Sequence, residues 1–156
     1  MLIKNIKDKL QLLHFQVHDI YLCANLKNIK KVLPFPQLEI LPGSPNYIAG
    51  LMNLAGICIP VIDLRMRLGF TREEDYSINT PLLLCQSGNQ DGNQQAAFIV
   101  DNVTGIVETD NIDVQPKPEF AQAISMVLGA ITIREKIALL LDVENLLKMP
   151  IGAKNE

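Results

Sequence analysis

The chain has 156 residues, of which 48% are hydrophobic and 5% aromatic, and its formal net charge is −3. That length suits one domain whose core is large enough to need neither a disulfide nor a metal. Lysine and arginine are scattered along the chain, which argues against a nucleic-acid partner. Charged residues interrupt the first fifteen positions, and no later apolar run reaches membrane-spanning length. We therefore expect a cytoplasmic protein without direct membrane insertion.

Three cysteines, Cys23, Cys58 and Cys85, lie far apart in apolar or alternating segments and form no CxxC pair. This pattern is typical of isolated thiols in a reducing compartment. We expect all three side chains to be buried.

The first twenty residues fit two patterns. Apolar residues recur at spacings of three and four from Ile3 to Ile20, as on one face of a helix, whereas Leu13, Phe15 and Val17 alternate as in a strand. Because Phe15 joins the alternating pattern, we expect an N-terminal helical extension over residues 1–12 and a strand over residues 13–17.

The distance between the two histidines depends on whether this segment is a helix or a strand. In a strand His14 and His18 lie about 13 Å apart, whereas in a helix they would share a face one turn apart, where they could bind one metal ion. The strand interpretation makes them surface residues and leaves a metal site as the alternative. His18-Asp19 then predicts a tight turn into residues 20–25.

Residues 41–70, LPGSPNYIAGLMNLAGICIPVIDLRMRLGF, alternate turn-forming and core-forming chemistry. Gly56 interrupts a β-branched run, which predicts two short strands turning at Ala55 and Gly56. Pro60 cannot donate a ladder hydrogen bond, so the second strand should be an edge strand or carry a bulge. Asp63 is a candidate helix N-cap, with a helix over residues 64–68 closed by Gly69.

The order P-x-x-P-x-Y-I-x-G-L-x-N-L-x-G-x-x-x-P-V-I-D-L-R-x-R-L-G, read over residues 42–69, resembles the signature of CheW-like domains. These domains are coupling proteins of bacterial chemotaxis and related kinase arrays. Agreement in register across nearly thirty residues is much more specific than a short motif. The resemblance covers roughly residues 15–147. It implies a single domain over residues 1–156, mainly β, in which two SH3-like five-stranded β-barrel subdomains share a core, with short helices at both ends.

Two positions depart from the family pattern. The usual valine-x-glutamate-valine corresponds here to Ile29-Lys30-Lys31-Val32, and asparagine-leucine-arginine-glycine corresponds to Asn53-Leu54-Ala55-Gly56. Lysine and alanine thus replace residues of opposite charge, and joint loss of an ion pair is often nearly neutral. We hypothesise that Lys31 and Ala55 lie near each other and that a polar pair through which relatives contact a partner has been lost.

The second half begins with a polar connection at Thr71-Arg72-Glu73-Glu74, followed by a short strand over residues 82–85 and a hairpin loop over residues 87–93. Residues 96–112 resemble the family's long central strand pair, with Asp101 and Val103 in the places of its usual aspartate and valine.

Pro116 and Pro118 then interrupt the chain. The remainder predicts a strand, a turn at Arg134-Glu135, a buried strand over residues 137–141 and a helix capped by Asp142. Val143, Leu146 and Leu147 can bury one face of that helix.

The resemblance implies a non-enzymatic adapter with no cofactor. Its partners would be a histidine kinase that has a CheW-like regulatory domain and the cytoplasmic tip of a chemoreceptor. We expect that reversing the charge of Arg65 leaves folding intact and weakens binding to the partner. The candidate partner-binding residues are Lys31, Asn53, Leu54, Ala55, Gly56, Arg65, Arg67 and Val103.

Two alternatives stay open. In an enzyme, Asp63 would be the best acid, but its place before Leu64 favours an N-cap, and Arg67 can pair with it across one turn. The sequence has no nucleophile elbow, phosphate-binding glycine loop or metal-ligand cluster. The other alternative is a divergent CheW-like scaffold of another sensory system, such as pilus-driven motility, that has lost the usual kinase or receptor contacts.

Overall fold

Ten strands, two short α-helices and one 3-10 helix, Leu26–Asn28, lie in the described part of the chain, which comprises residues 10–88, 94–109, 115 and 126–148 of a computed structural model. None of these helices is long and apolar enough to cross a membrane. The strands are β1 Leu10–Val17, β2 Ile20–Asn25, β3 Ile29–Leu33, β4 Ile48–Leu54, β5 Ile57–Asp63, β6 Leu82–Gln86, β7 Gln95–Ile99, β8 Asn102–Thr109, β9 Val127–Ile133 and β10 Lys136–Leu141, and the helices are α1 Leu64–Arg67 and α2 Val143–Leu147.

The strands form two five-stranded sheets. The first sheet has the order β8-β1-β2-β10-β9, and the second has the order β3-β6-β7-β5-β4. Neighbouring strands are antiparallel except for β10 with β2 and β5 with β7, which are parallel. The predicted mainly β fold of two five-stranded units is confirmed.

One aliphatic core is shared by both sheets. Phe15 of β1 and Phe98 of β7 are each at most 2% exposed and belong to the same buried cluster, which also takes in Leu64 of α1 and Leu146 of α2. Each sheet has a second cluster of its own on its other face. Most strands are therefore buried on both faces, which explains their nearly continuous apolar sequences.

The predicted helix over residues 1–12 is wrong where the structure describes it. Leu10, Gln11 and Leu12 belong to β1 and pair with Thr109, Glu108 and Val107 of β8. Residues 1–9 lie outside the described part. The helical spacing of the apolar residues was real, but pairing with a strand nearly a hundred residues away decides the local structure.

The tight turn at His18-Asp19 is confirmed, since Val17 pairs with Ile20 and His18 has φ 56°. His14, in contrast, is buried with 5% of its surface exposed, so its prediction as a surface residue is wrong. One face of β1 packs in the shared core through Phe15, and the other packs in the first sheet's own cluster through Leu12, so both faces of the strand are covered.

A two-residue turn joins β4 and β5 at the predicted place. Ala55 and Gly56 have φ values of 52° and 87°, as in the type I′ turns that match the twist of a hairpin. The Oδ1 atom of Asn53 accepts a hydrogen bond from the Gly56 amide at 2.8 Å. The tip of the hairpin is therefore fixed by both backbone and side chain.

β5 is an interior strand, so the expectation of an edge strand at Pro60 is wrong. Pro60 pairs only with Leu51 of β4, and pairing with β7 begins one residue later at Val61. The missing amide of proline is tolerated because this end of β5 has a neighbour on one side only. The β4–β5 ladder also has an irregularity, which lies between Ile48 and Gly50 of β4.

Two strands do occupy the described part of residues 96–112, but they do not form the expected pair with each other. β7 and β8 follow one another in sequence but belong to different sheets, with Val100 and Asp101 crossing between them. The polar connection after Thr71 contains no helix, as predicted. The hairpin of β6 and β7 is confirmed by their antiparallel pairing, although residues 89–93 of its loop, like Pro116 and Pro118, lie outside the described part.

The C-terminal elements match their predictions. β9 and β10 turn at Arg134 and Glu135, and the Asp142 side chain caps α2 by accepting the Asn145 amide at 3.1 Å. The Glu144 carboxylate of α2 accepts hydrogen bonds from groups near the second sheet. The donors are the Gly88 amide, the Ser87 hydroxyl and the Asn28 side-chain amide. The Gly88 bond is the main reason why the pKa of Glu144 lies below its ordinary value.

Two of the three cysteines are buried and one is exposed. Cys23 and Cys85 are buried as expected, but Cys58 is exposed, so its prediction is wrong. Cys58 lies opposite Asn53, one pair from the end of the β4–β5 hairpin, where the strands extend beyond the core.

The positive φ of Ala55 in the hairpin turn leads to a prediction about stability. An alanine in the left-handed region is strained, whereas asparagine tolerates it and Asn-Gly is the preferred type I′ pair. We expect Ala55→Asn to raise the free energy of unfolding in urea by about 1 kcal/mol. Ala55→Val, which adds β-branching at the same φ, should lower it. Equal stability of the two variants would show that this turn conformation does not limit stability.

Candidate partner-docking surfaces

The eight residues singled out from the sequence lie in four places rather than in one pocket. The four residues Asn53 to Gly56 form the end of β4 and the hairpin turn, which we call the hairpin tip. Arg65 and Arg67 lie on α1, Lys31 on β3 and Val103 on β8. The structure therefore distributes these candidate residues over separate surfaces and does not bring them into one convergent site.

The hairpin tip combines a fixed backbone with exposed apolar surface. Asn53, Ala55 and Gly56 are exposed, whereas Leu54 is half-buried against the second sheet's own apolar cluster. Next to them Ile57 is 55% exposed. A shallow groove of about 180 Å³ runs along the hairpin and is lined by Glu39, Leu51, Met52, Asn53, Gly56 and Cys58. Such a surface can accept an apolar side chain of a partner with little reordering.

Lys31 lies on β3, an edge strand of the second sheet. It is exposed, as are its neighbours Lys30 and Val32, and its backbone pairs with Leu84 of β6. In the sheet order β3 and β4 stand at opposite ends, so the ladder does not pair Lys31 with the hairpin tip. The proximity of Lys31 and Ala55 therefore stays a prediction.

A buried carboxylate organises the region around α1. Asp63 has no exposed surface and caps the helix by accepting the Met66 amide at 3.2 Å, so the predicted N-cap is confirmed. It also accepts hydrogen bonds from Arg72 Nε at 2.6 Å and from the Tyr76 hydroxyl at 2.7 Å. The sequence suggested Arg67 as its ion-pair partner, but this salt bridge is made by Arg72.

Asp101 joins the same network from the other sheet. It accepts the Arg72 Nη2 group at 3.1 Å, Arg65 Nε at 3.2 Å and the His18 amide at 2.5 Å. Arg65 further reaches Glu74 at 3.0 Å. The network thus connects the end of β5, α1, the polar connection, the β1–β2 turn and the start of β8.

The environment of this network favours the charged form of Arg72. Burial opposes the charge of Arg72, but hydrogen bonds and the charges of Asp63 and Asp101 outweigh it and raise the pKa of the guanidinium. Burial, followed by the hydrogen bond to Asp63, raises the pKa of the Tyr76 hydroxyl. These side chains bond to one another, and they connect elements of both sheets. We call the network of Asp63, Arg65, Arg72, Tyr76 and Asp101 the joint between the sheets.

Arg65 is part of this joint and is not a free surface charge. Its side chain is 12% exposed, and a carboxylate in its place would face Asp101. These contacts argue against the expectation that charge reversal leaves folding intact, which stays a prediction. Arg67 places its guanidinium 5.3 Å from the centre of the Tyr47 ring, a cation–π contact.

Val103 is half-buried and packs against the shared core. Arg72 and Tyr76 were missed by sequence reasoning because a polar stretch without periodicity gives no sign of a long-range ion pair. Among the described residues, no group of three or more His, Cys, Asp or Glu side chains is placed to hold a metal ion.

The joint predicts a large coupling between Asp63 and Arg72. Arg72→Met should lower the free energy of unfolding by roughly 3–5 kcal/mol, because it leaves a buried carboxylate without its partner. Asparagine is also a good N-cap. The double variant Asp63→Asn with Arg72→Met should therefore lose much less than the sum of the single losses.

The matched control is Glu73→Gln, an exposed neighbour of Arg72 whose neutralisation should change stability by less than about 0.5 kcal/mol. Urea denaturation of the four proteins measures the cycle. Additive losses at Asp63 and Arg72 would contradict a coupled pair.

Comparison with known proteins agrees with this architecture. The family model of the CheW-like domain matches residues 11–150. The probable chemotaxis protein CheW of Rhizobium etli is 25% identical over 138 residues, covering 87% of this chain and 86% of that protein. The chemotaxis protein CheW of Helicobacter pylori is 25% identical over 143 residues, covering 91% and 84%.

A solved structure shares the fold. The scaffolding protein TtCheW of Thermoanaerobacter tengcongensis superposes with a TM-score of 0.76 at 23% identity, covering 92% of this chain and 94% of that chain. Since the family match spans most of the sequence, the chain belongs to the CheW-like domain family.

Proposed function

We propose that this protein is a non-enzymatic, cytoplasmic adapter that couples a chemotaxis-type histidine kinase to chemoreceptors, with residues 1–156 acting as one domain. The observation that carries the proposal is the family match over residues 11–150. Support comes from relatives that are named chemotaxis proteins and from a structural neighbour that is named a scaffolding protein. The kinase partner would bind through its own CheW-like regulatory domain, and the receptor through its cytoplasmic tip.

The character of the polar groups supports binding over catalysis. The buried carboxylate Asp63 accepts four hydrogen bonds, which cap a helix and hold Arg72 and Tyr76, and this leaves it poorly placed as an acid or base. The exposed features include an apolar hairpin with a fixed turn and the edge strand β3. Rigid surfaces of this kind bind without a large ordering cost.

We assign direct partner contact to the hairpin tip, to Lys31 on β3, to Arg67 and to Val103. Arg65 has a positioning role, because its contacts with Asp101 and Glu74 hold α1 beside the start of β8. The hairpin tip is the strongest of these assignments, since Ile57 beside it is a large apolar side chain with 55% exposure.

A second candidate function rests on Lys31 and Ala55, where the family usually has glutamate and arginine. A chain that lacks both could serve as a scaffold of another sensory system, such as pilus-driven motility, without the usual kinase or receptor contacts. Measured capture of a chemotaxis-type kinase separates the two candidates.

The adapter proposal predicts a local effect on kinase capture. Ile57→Asp should weaken the Kd for the kinase's CheW-like regulatory domain by at least about tenfold, or 1.4 kcal/mol, because it places a charge in an apolar contact. Ile78→Asp is the matched control, since Ile78 is 77% exposed in the polar connection and does not line the hairpin groove. Calorimetric titration measures both.

Equal weakening by the two variants would remove the hairpin tip from the contact. Failure of the unmodified protein to bind any such kinase domain from the same organism would instead favour the scaffold of another system. Far-UV circular dichroism and urea midpoints establish that each variant is folded.

The hypothesis about Lys31 and Ala55 has its own test. If the two positions are close, Ala55→Arg should lower stability by bringing two cations together, and adding Lys31→Glu should recover it. We expect a coupling free energy of about 0.5 kcal/mol or more from a double-mutant cycle in urea. The matched control is Lys30→Glu, the exposed neighbour of Lys31 on the same strand. Absence of coupling would refute the proximity.

A further inference from the structure

His14 is a buried titratable residue that the docking surfaces do not use. It lies in β1 on the face that carries Leu12, away from the shared core, and is 5% exposed. Its ring stacks on Tyr21 of β2 with 5.4 Å between ring centres. Histidine is the side chain whose charge changes nearest to neutral pH, so its buried position merits a physical account.

The contacts of Thr104 determine which ring nitrogen carries the hydrogen. The Thr104 hydroxyl oxygen lies 2.7 Å from the His14 carbonyl oxygen and 2.7 Å from Nδ1. A hydroxyl has one hydrogen, and the carbonyl can only accept. The hydroxyl therefore donates to the carbonyl and accepts from Nδ1–H, which leaves the lone pair on Nε2. That atom is buried and has no hydrogen-bond partner among the described residues.

The charged groups around this ring are cationic. Arg134 in the β9–β10 turn is the charge that acts on His14. Lys136 at the start of β10 has its ammonium 4.9 Å from the Tyr21 ring centre, and Glu135 between them is exposed, as both cations are. From β2, Cys23 is directly opposite His14, and burial raises its pKa to about 12, so its thiol is neutral. β8 faces the ring with the Thr104 hydroxyl.

No carboxylate is among the groups that β2, β8 and the β9–β10 turn direct at the ring in the described part. Burial, and then the charge of Arg134, hold the pKa of His14 below its ordinary value. A proton added at Nε2 would be a buried N–H without an acceptor, close to a second positive charge.

The strand that would respond to this unfavourable protonation is β8, the edge strand that pairs with β1. The β1–β8 ladder has an irregularity at His14, which pairs with Gly105, while Phe15 pairs with Val103. Thr104 is the extra residue between them, as in a β-bulge. Among the described strands, β8 pairs with β1 alone, so it can separate from β1 without breaking the other ladders of the sheet.

We propose that His14 makes the first sheet acid-sensitive: proton uptake at Nε2 loosens β8 from β1 around the Thr104 bulge. The effect reaches Val103, the residue that pairs with Phe15 next to His14. This inference concerns the fold alone and holds whether or not the adapter function is correct.

The direction of the pH dependence follows from linkage. The unfolded chain binds a proton at this histidine near pH 6.5, whereas the folded chain binds it only at lower pH, so stability is fully present above about pH 6.5 and lost below it. A single site limits the effect to about tenfold in the unfolding equilibrium constant per pH unit. The carboxyls of Glu74 and Glu144, whose pKa values are lowered by hydrogen bonds to the Glu74 and Gly88 backbones, titrate further towards acid.

Urea denaturation of the full chain between about pH 8 and 5.5 tests the inference in this window. We expect the unfolding equilibrium constant of the unmodified protein to rise as pH falls below about 6.5. In His14→Gln the unfolding equilibrium constant should lack this rise. The matched control is His18→Gln, which removes the exposed histidine and should keep the rise. A rise that persists in His14→Gln, or that disappears in His18→Gln, would overturn the proposal.

Arg134→Gln provides a test that keeps the histidine and so does not depend on whether His14→Gln folds. Removing this cation makes protonation of the folded state easier, so the acid-induced rise should become smaller. A rise of unchanged or greater size would contradict the role of Arg134.

Amide hydrogen exchange locates the opening. Between pH 7.5 and 5.5, protection factors should fall in β8 of the unmodified protein and stay constant in β6 and β7, which serve as the internal reference. An equal fall in both sheets would show global unfolding and overturn the local mechanism.

Discussion

The buried carboxylate of Asp63 is the interaction on which the arrangement of the two sheets depends. A charged group without exposure is stable only when its lone pairs are satisfied, and here a helix amide, a guanidinium and a phenol do so. Arg72 then extends the network to Asp101, which lies where the chain crosses from the second sheet to the first. The relative position of the sheets is thus fixed by charge as well as by the shared apolar core.

This joint explains the character of the remaining surface. The arginine of α1 that faces Asp101 is used internally, so Arg65 contributes little free charge to solvent. The exposed hairpin tip lies at the other end of β5, and its turn is held by backbone geometry and by Asn53. Recognition at such a surface relies on shape and apolar contact, which suits an adapter whose partners must meet a preformed surface.

Local chemistry was predictable from the sequence, and distant pairing was not. The turn at Ala55-Gly56 and the cap at Asp63 depend on a few adjacent residues, so residue type alone indicated them correctly. Leu10 was assigned to a helix because its pairing with Thr109 is invisible in a local window. The candidate site suffered in the same way, since the contact of Arg72 with Asp101 joins residues 29 positions apart and no periodicity marks it.

β8 is where the two polar features of the first sheet meet. At its start Asp101 accepts the His18 amide, and three residues later Thr104 holds His14. Val103 lies between these two anchors and packs on the shared core. Because hydrogen bonds to titratable and charged groups hold this edge, its attachment responds to protons in a way that purely apolar packing does not. An edge strand held in this way is stable at neutral pH and is the part of the first sheet that acid would release first.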